Sequence, residues 1–280
     1  MKKIGFIDYY LDEWHAEKYP GWIEEATGGE MKVVYAYGKQ DKEGGETNAA
    51  WCERKGITLL STIEEVIERS DYLVVLSPDN PEQHEELARL PLQSGKPTYV
   101  DKTFAPDRDT AVRLFELAER HKTPLFSTSA LRFADEYVQA ERNGVRTIAS
   151  IGPGKFENYS IHQIEPIVMF LGSRPQKVMY TGTAGSAALL IAFEDGRQAA
   201  LRHFGSGCPF SMALDYEDGS ARVLTVQSNF FGAFIREMIA FFETGRPPVD
   251  PAETIAIASI IEYGLRAEKT PYEWIALPQG

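Results

Sequence analysis

The 280-residue sequence holds two cysteines, Cys52 and Cys208, far apart and in no metal-ligand spacing. So few thiols exclude a disulfide-stapled fold or a thiolate metal site, and two reduced thiols suit the cytoplasm. Long hydrophobic runs are also missing: no stretch approaches the ~20 apolar residues that span a bilayer. Asp8, Asp12 and Glu13 break up the N-terminal region where a secretory leader would need its apolar segment. Positive charge is scarce, with 29 Lys and Arg against 41 Asp and Glu and a formal net charge of -12. Such a surface repels nucleic acid and anionic membranes, which leaves a small molecule as the expected partner.

What is present is ordinary for a globular chain, with 43% hydrophobic and 25% charged residues. Short apolar runs near 4–7, 31–37, 58–60, 72–76, 97–100 and 124–127 read as strands. Helical patterns at 62–69, 80–94 and 107–121 separate the later ones. In the last helix Ala111, Leu114, Phe115, Leu117 and Ala118 share one face, with Asp107 or Asp109 as N-cap. Runs such as "YLVVLS" suit strands buried on both faces. Alternating β and α with short connections predicts a doubly wound parallel sheet, an α/β domain over residues 1–127.

The pattern changes in residues 128–280. "ALLIAFEDGRQAALRHF" and "FSMALDYEDGSARVLTV" each place two strand-like runs around a Glu-Asp-Gly turn. Asp-Gly between apolar runs is a strong hairpin signal, so a mostly antiparallel sheet is expected here. Helices are predicted over 229–244 and 251–267, the first ended by Gly245 and the second opened by Pro251.

Several stretches then align with one family. In "SDYLVVLSPDNPEQHEELARLPLQSGKPTYVDKTFA" a strand ends in Pro78, His84 follows six residues on, and the next strand ends in Asp101-Lys102-Thr103. "ALRF" at 130–133 and "NYSIHQIEPIVMFLG" at 158–172 follow in order. By this order and spacing the chain resembles the Gfo/Idh/MocA oxidoreductases, the glucose–fructose oxidoreductase and inositol dehydrogenase family. The resemblance implies a Rossmann-like domain followed by an α+β domain with an open-faced, mostly antiparallel sheet used for homo-oligomerisation. It implies hydride transfer between NAD or NADP and a sugar, polyol or related carbonyl compound.

Carried over residue by residue, the resemblance makes Lys102 and His162 the catalytic candidates. Lys102 is a cation for a developing oxyanion, and His162 an acid/base whose ordinary pKa lies near working pH. Asn158, four residues before His162, shares its helix face and stands where the family has Asp. Asn158, Glu165 and Arg132 are candidate substrate ligands, though Glu165 also reads as a helix-surface acid. Pro78, His84 and Asp101 are candidate cofactor contacts. His84 reads equally as a cap of its own helix, and His15 as a surface or packing residue. No metal site is expected.

The loop after the first strand departs from the family. A dinucleotide loop needs glycine for its tight turn, for close approach to the diphosphate and for helix packing. Counted from Gly5, those positions are Asp8, Tyr10 and Glu13. A carboxylate ~4 Å from a phosphate charge costs about 4 kcal/mol at an effective dielectric near 20. A micromolar ligand has about 8 kcal/mol in all. Strand two also lacks an acid near Tyr37–Lys39 for a ribose diol, while Lys39 suits a 2′-phosphate. Asp12 and Glu13 also read as the cap and first-turn acid of the next helix. Two alternatives therefore stand beside the oxidoreductase: a relative that has lost dinucleotide binding and serves as a binding or assembly protein, and a different reaction in the same cleft.

Overall fold

A computed structural model describes residues 1–172 and 174–278. The chain divides into two compact units, Met1–Thr128 with Phe234–Asp250, and Ser129–Ala233 with the C-terminal residues from Pro251 on.

The first unit runs β1 (Lys2–Asp8), α1 (Trp14–Ala26), β2 (Met31–Gly38), α2 (Asn48–Lys55), β3 (Thr58–Leu59), α3 (Ile63–Arg69), β4 (Tyr72–Val75), α4 (His84–Ala88), β5 (Thr98–Val100), α5 (Arg108–Arg120) and β6 (Leu125–Phe126). Its six strands are all parallel, in the order β3-β2-β1-β4-β5-β6. Ile4, Phe6 and Ile7 of β1 and Leu73, Val74 and Val75 of β4 are fully buried, as central parallel strands covered on both faces require. Gly5 lets α3 approach, since a Cβ there would collide with Val66 and Ser70. Asp107 caps α5 by accepting the Thr110 N–H at 2.7 Å.

The continuous helix expected over 80–94 is instead the short α4 between two single turns, Pro81–Gln83 and Pro91–Gln93. Proline has no N–H to donate to the preceding turn, so Pro91 stops the helix that the apolar spacing suggests. Helix α2, which the pattern did not reveal, is held by its ends: Thr47 caps it through the Ala50 N–H, and Gly56 closes it with φ +66°.

The second unit contributes α6 (Asp135–Val138), β7 (Val145–Pro153), α7 (Phe156–Leu171), β8 (Pro175–Tyr180), β9 (Ala188–Phe193), β10 (Gln198–Phe204), β11 (Ser211–Tyr216) and β12 (Ala221–Thr225). After α8 (Phe230–Thr244) come α9 (Pro251–Ala267) and β13 (Trp274–Ala276). The seven-stranded sheet has the order β12-β11-β7-β10-β9-β8-β13. Among the described residues of this sheet only the β7–β10 pair is parallel. Both Asp-Gly turns join antiparallel neighbours, with Gly196 and Gly219 at φ +86° and +83°. Ile161, Ile164 and Val168 of α7 and Ile257, Ile260 and Ile261 of α9 form one core with Leu189, Ile191, Leu201, Met212 and Leu214 of the strands. Along the strands this buried set alternates with exposed positions such as Ile151 and Phe204.

Residues 234–250 lie in the first unit, whereas the sequence pattern left them in residues 128–280. The reason is aromatic packing. The Phe234 ring lies 5.7 Å from Tyr19 and 5.4 Å from Tyr99, and Phe241 lies 4.6 Å from Phe126. Phe242 stacks on Tyr72 at 4.8 Å. Such pairs join positions more than a hundred residues apart and leave no mark in local periodicity.

Candidate functional site

In the first sheet the strand order turns back between β1 and β4, and ligands of doubly wound sheets sit outside the carboxyl ends of strands at such a point. Asp8 ends β1, Ser77 and Pro78 follow β4, and Asp101 and Lys102 follow β5. Ser77 takes φ +89°, a left-handed conformation that non-glycine residues rarely adopt. Tyr10 hydroxyl donates to Asn80 Oδ1 at 3.3 Å, which links the loop after β1 to the loop after β4.

Glu13 is the N-cap of α1, and its carboxylate accepts the N–H of His15 at 2.6 Å and that of Ala16. A free helix N-terminus attracts anions because its first N–H groups lack partners. Here an internal carboxylate has taken that role. Burial raises the Glu13 pKa to about 7, with the Asp101 charge adding to the rise. Asp8 is fully buried and accepts the Tyr9 N–H at 2.7 Å. Burial, then the Glu13 charge, holds its carboxyl well above the usual range.

The rest of the loop is tied to the segment after β2. Lys39 N–H donates to Asp8 O and Gln40 N–H to Tyr9 O, both at 3.0 Å. Asn48 accepts the Leu11 N–H at 2.9 Å and packs on Gly38, where any Cβ would strike its amide. Asp12 accepts the Glu46 N–H at 3.1 Å. Of the two acids read as cap and first-turn residue, Glu13 is the cap, and Asp12 fastens the loop.

Asp101 is fully buried and lies 2.5 Å from His15 Nδ1, while Tyr99 hydroxyl donates to its other oxygen at 2.9 Å. The His15 ring stacks on Tyr19 with centroids 5.0 Å apart. Burial alone would lower the His15 pKa, but the Asp101 carboxylate outweighs it and the net shift is upward. Burial likewise works against ionised Asp101, yet His15 and then Lys102 leave its pKa lowered. Both shifts favour the charged forms, an imidazolium facing a carboxylate. Lys102 donates to Pro78 O at 2.9 Å, so the strand-end lysine and proline expected at the site do meet.

Two cofactor candidates sit differently. His84 is fully buried, its Nδ1 lies 3.0 Å from Phe104 O, and burial lowers its pKa. It caps no helix. Lys39 meets Glu86 at 2.7 Å and Gln83 at 3.0 Å, so a carboxylate already answers the charge suited to a 2′-phosphate.

The second unit gathers the other candidates on α7. Ser129 Oγ lies 2.7 Å from His162 Nδ1, and the Ser129 N–H donates to Glu165 Oε2 at 2.6 Å. Glu165 is buried, contrary to its reading as a helix-surface acid, and Arg132 lies 3.6 Å from it. Arg132 also pairs with Glu253 at 2.7 Å. Asn158 is exposed and does not bond the His162 ring. Sequence reasoning missed Ser129 and gave His15 no role. The signal for Ser129 is a serine opening the turn Ala130–Phe133, where its Oγ accepts the Leu131 N–H.

Among the described residues no helix is long and apolar enough to cross a membrane, and no group of His, Cys, Asp and Glu is arranged to hold a metal. No protein-family model and no curated protein sequence matches the chain. Solved structures do match in fold. That of GenD2 from gentamicin A biosynthesis, in complex with NAD, superposes with a TM-score of 0.78 at 14% identity, covering 100% of this chain and 97% of that one. Myo-inositol 2-dehydrogenase from Lactobacillus plantarum gives 0.78 at 14% identity, over 99% of each chain. UDP-N-acetylglucosamine 3-dehydrogenase GnnA from Acidithiobacillus ferrooxidans gives 0.75 at 14%, over 96% and 97%. The chain has the two-sheet fold of these dehydrogenase structures, as the family resemblance led us to expect.

The residues at the start of α1 do not fit a dinucleotide whose diphosphate rests on that helix. Its N–H groups at His15 and Ala16 are held by Glu13, and the Asp101 carboxylate adds to the negative charge around that side chain.

Proposed function

We propose that this chain is a cytoplasmic oxidoreductase of the Gfo/Idh/MocA type, acting on a sugar, polyol or related carbonyl compound with NAD or NADP. The observation that carries the reading is the full-length fold likeness to myo-inositol and UDP-N-acetylglucosamine dehydrogenases and to GenD2, which was solved with NAD. NAD(P) would supply the hydride chemistry. Lys102, held by Pro78 O at a strand end, would place a cation at the substrate oxygen. His162 would hold a hydrogen bond to a substrate hydroxyl, with Asn158 as the exposed polar neighbour on its helix face. Arg132 and Glu165 support the site as a buried ion pair. The Rossmann-like unit is the cofactor domain in this reading and the second unit the substrate domain. Exposed Ile151, Phe204 and Val223 on the second sheet support homo-oligomerisation there.

One observation favours a second reading, a relative that has lost dinucleotide binding: the carboxylate of Glu13 sits where the diphosphate would go. Titration of the purified protein with NADH and NADPH decides between them. Fluorescence enhancement and a thermal shift below millimolar cofactor support the oxidoreductase; no response to either cofactor at millimolar concentration overturns it.

A further inference from the structure

His162 needs an orienting partner if it is to act on a substrate oxygen, because an imidazole presents a donor at one nitrogen and an acceptor at the other. Asn158, the partner expected from its place on the helix, does not supply it. Ser129 does. Its Oγ stands 2.7 Å from Nδ1, and the serine is fully buried and fixed by further hydrogen bonds. Its N–H donates to Glu165 Oε2 at 2.6 Å, its Oγ accepts the Leu131 N–H at 3.2 Å, and Arg132 steadies Glu165 from 3.6 Å. The imidazole is confined as well: Tyr159 and Phe210 meet it edge-on, with centroids 5.5 and 5.7 Å away and interplanar angles of 73° and 70°. Ring and hydroxyl are thus both fixed before any ligand arrives.

We propose that Ser129 is the positioning residue of His162, donating its hydroxyl proton to Nδ1 so that Nε2 carries the ring N–H. The Leu131 N–H already points at Ser129 Oγ as a donor, which favours using the hydroxyl proton toward the ring. In this tautomer neutral His162 meets a substrate oxygen as a hydrogen-bond donor. For the oxidoreductase proposed above, on which this last consequence rests, His162 then polarises a carbonyl or steadies an alkoxide. It does not itself take the hydroxyl proton at Nε2.

The test needs neither substrate nor cofactor, so it stands or falls apart from the oxidoreductase reading. Protein labelled with 15N-histidine is examined by long-range proton–nitrogen correlation at a pH where the rings are neutral, with His162 assigned by its disappearance in His162→Gln. The expected result is one tautomer, unprotonated at Nδ1 and protonated at Nε2, kept in Ser129→Thr and lost in Ser129→Ala. A wild-type ring protonated at Nδ1, or a Ser129→Ala spectrum identical to wild type, overturns the proposal; the wild-type spectrum alone decides if the alanine variant does not fold. Where turnover is measurable, Ser129→Ala lowers kcat at least about tenfold with KM nearly unchanged, and Ser129→Thr restores it.

Discussion

The side-chain carboxyl of Glu13 accepts the backbone N–H of His15 at 2.6 Å, so α1 begins with its own acidic group in place. In a dinucleotide fold that position belongs to a ligand's diphosphate. Glu13 thus acts on the fold and on ligand choice together: it stabilises the helix end, and it opposes a second negative charge there.

Replacing Glu13 by serine keeps a good N-cap and removes the charge. Glu13→Ser is expected to bind NADH, NADPH or inorganic pyrophosphate at least about tenfold more tightly than wild type, a gain of about 1.4 kcal/mol. Isothermal titration calorimetry reads it. Equal or weaker binding would show that Glu13 does not obstruct the diphosphate.

The same residue sets a pH dependence. Its folded pKa is raised from 4.5 to about 7, so the folded state holds a proton that the unfolded state releases first. Stability from this group is fully present below about pH 4.5 and is lost as pH rises through about 7. Asp8 and His15, also raised, act with the same sign, while Asp101, lowered, acts with the opposite one. Urea unfolding between pH 5 and pH 8 should show a falling stability, and Glu13→Gln should flatten that slope.

Asp101→Asn keeps the shape of the side chain and removes the carboxylate that faces the buried His15 ring. Breaking one side of a buried pair typically costs about 3–5 kcal/mol. Denaturant unfolding near pH 6 should show a loss of that order, while His15→Gln combined with it should recover part, since the orphaned charge is then gone. A loss under ~1 kcal/mol would mean the pair is not charged in the folded protein.

Phe234→Ala removes a fully buried ring that touches Tyr19 and Tyr99. Truncation of a buried phenylalanine is worth about 3–5 kcal/mol. Because this helix segment belongs to the first unit, the loss should come with increased hydrogen exchange in β1 and β5, and not in the second sheet alone.

How far the sequence could be read depended on the range of the interactions involved. Alternating apolar runs placed all six strands of the first sheet within a residue or two, and the Asp-Gly pairs placed both hairpins, because strand period and turn chemistry are local. Over 80–94 the apolar spacing suggests one helix, but Pro91 lacks the N–H that would continue it, so only His84–Ala88 is α-helical. In the site, Lys102 and Pro78 were legible as strand ends, and the three missing glycines were legible as an obstacle. The buried state of Glu165 was not, because nothing in "HQIEPI" reveals that Arg132 and the Ser129 N–H close around it.

By itself the sequence determined the two-sheet architecture, the loss of the glycine loop and the list of candidate groups. Periodicity, turn residues and residue type suffice for these. Only the tertiary structure decided which groups meet: His15 with Asp101, Ser129 with His162, Lys39 with Glu86, and Phe234 with Tyr99. Each pair joins residues at least 33 positions apart, and such contacts are set by how strands and helices stack, where a carboxylate or hydroxyl finds its partner by proximity in space and burial makes that partner obligatory.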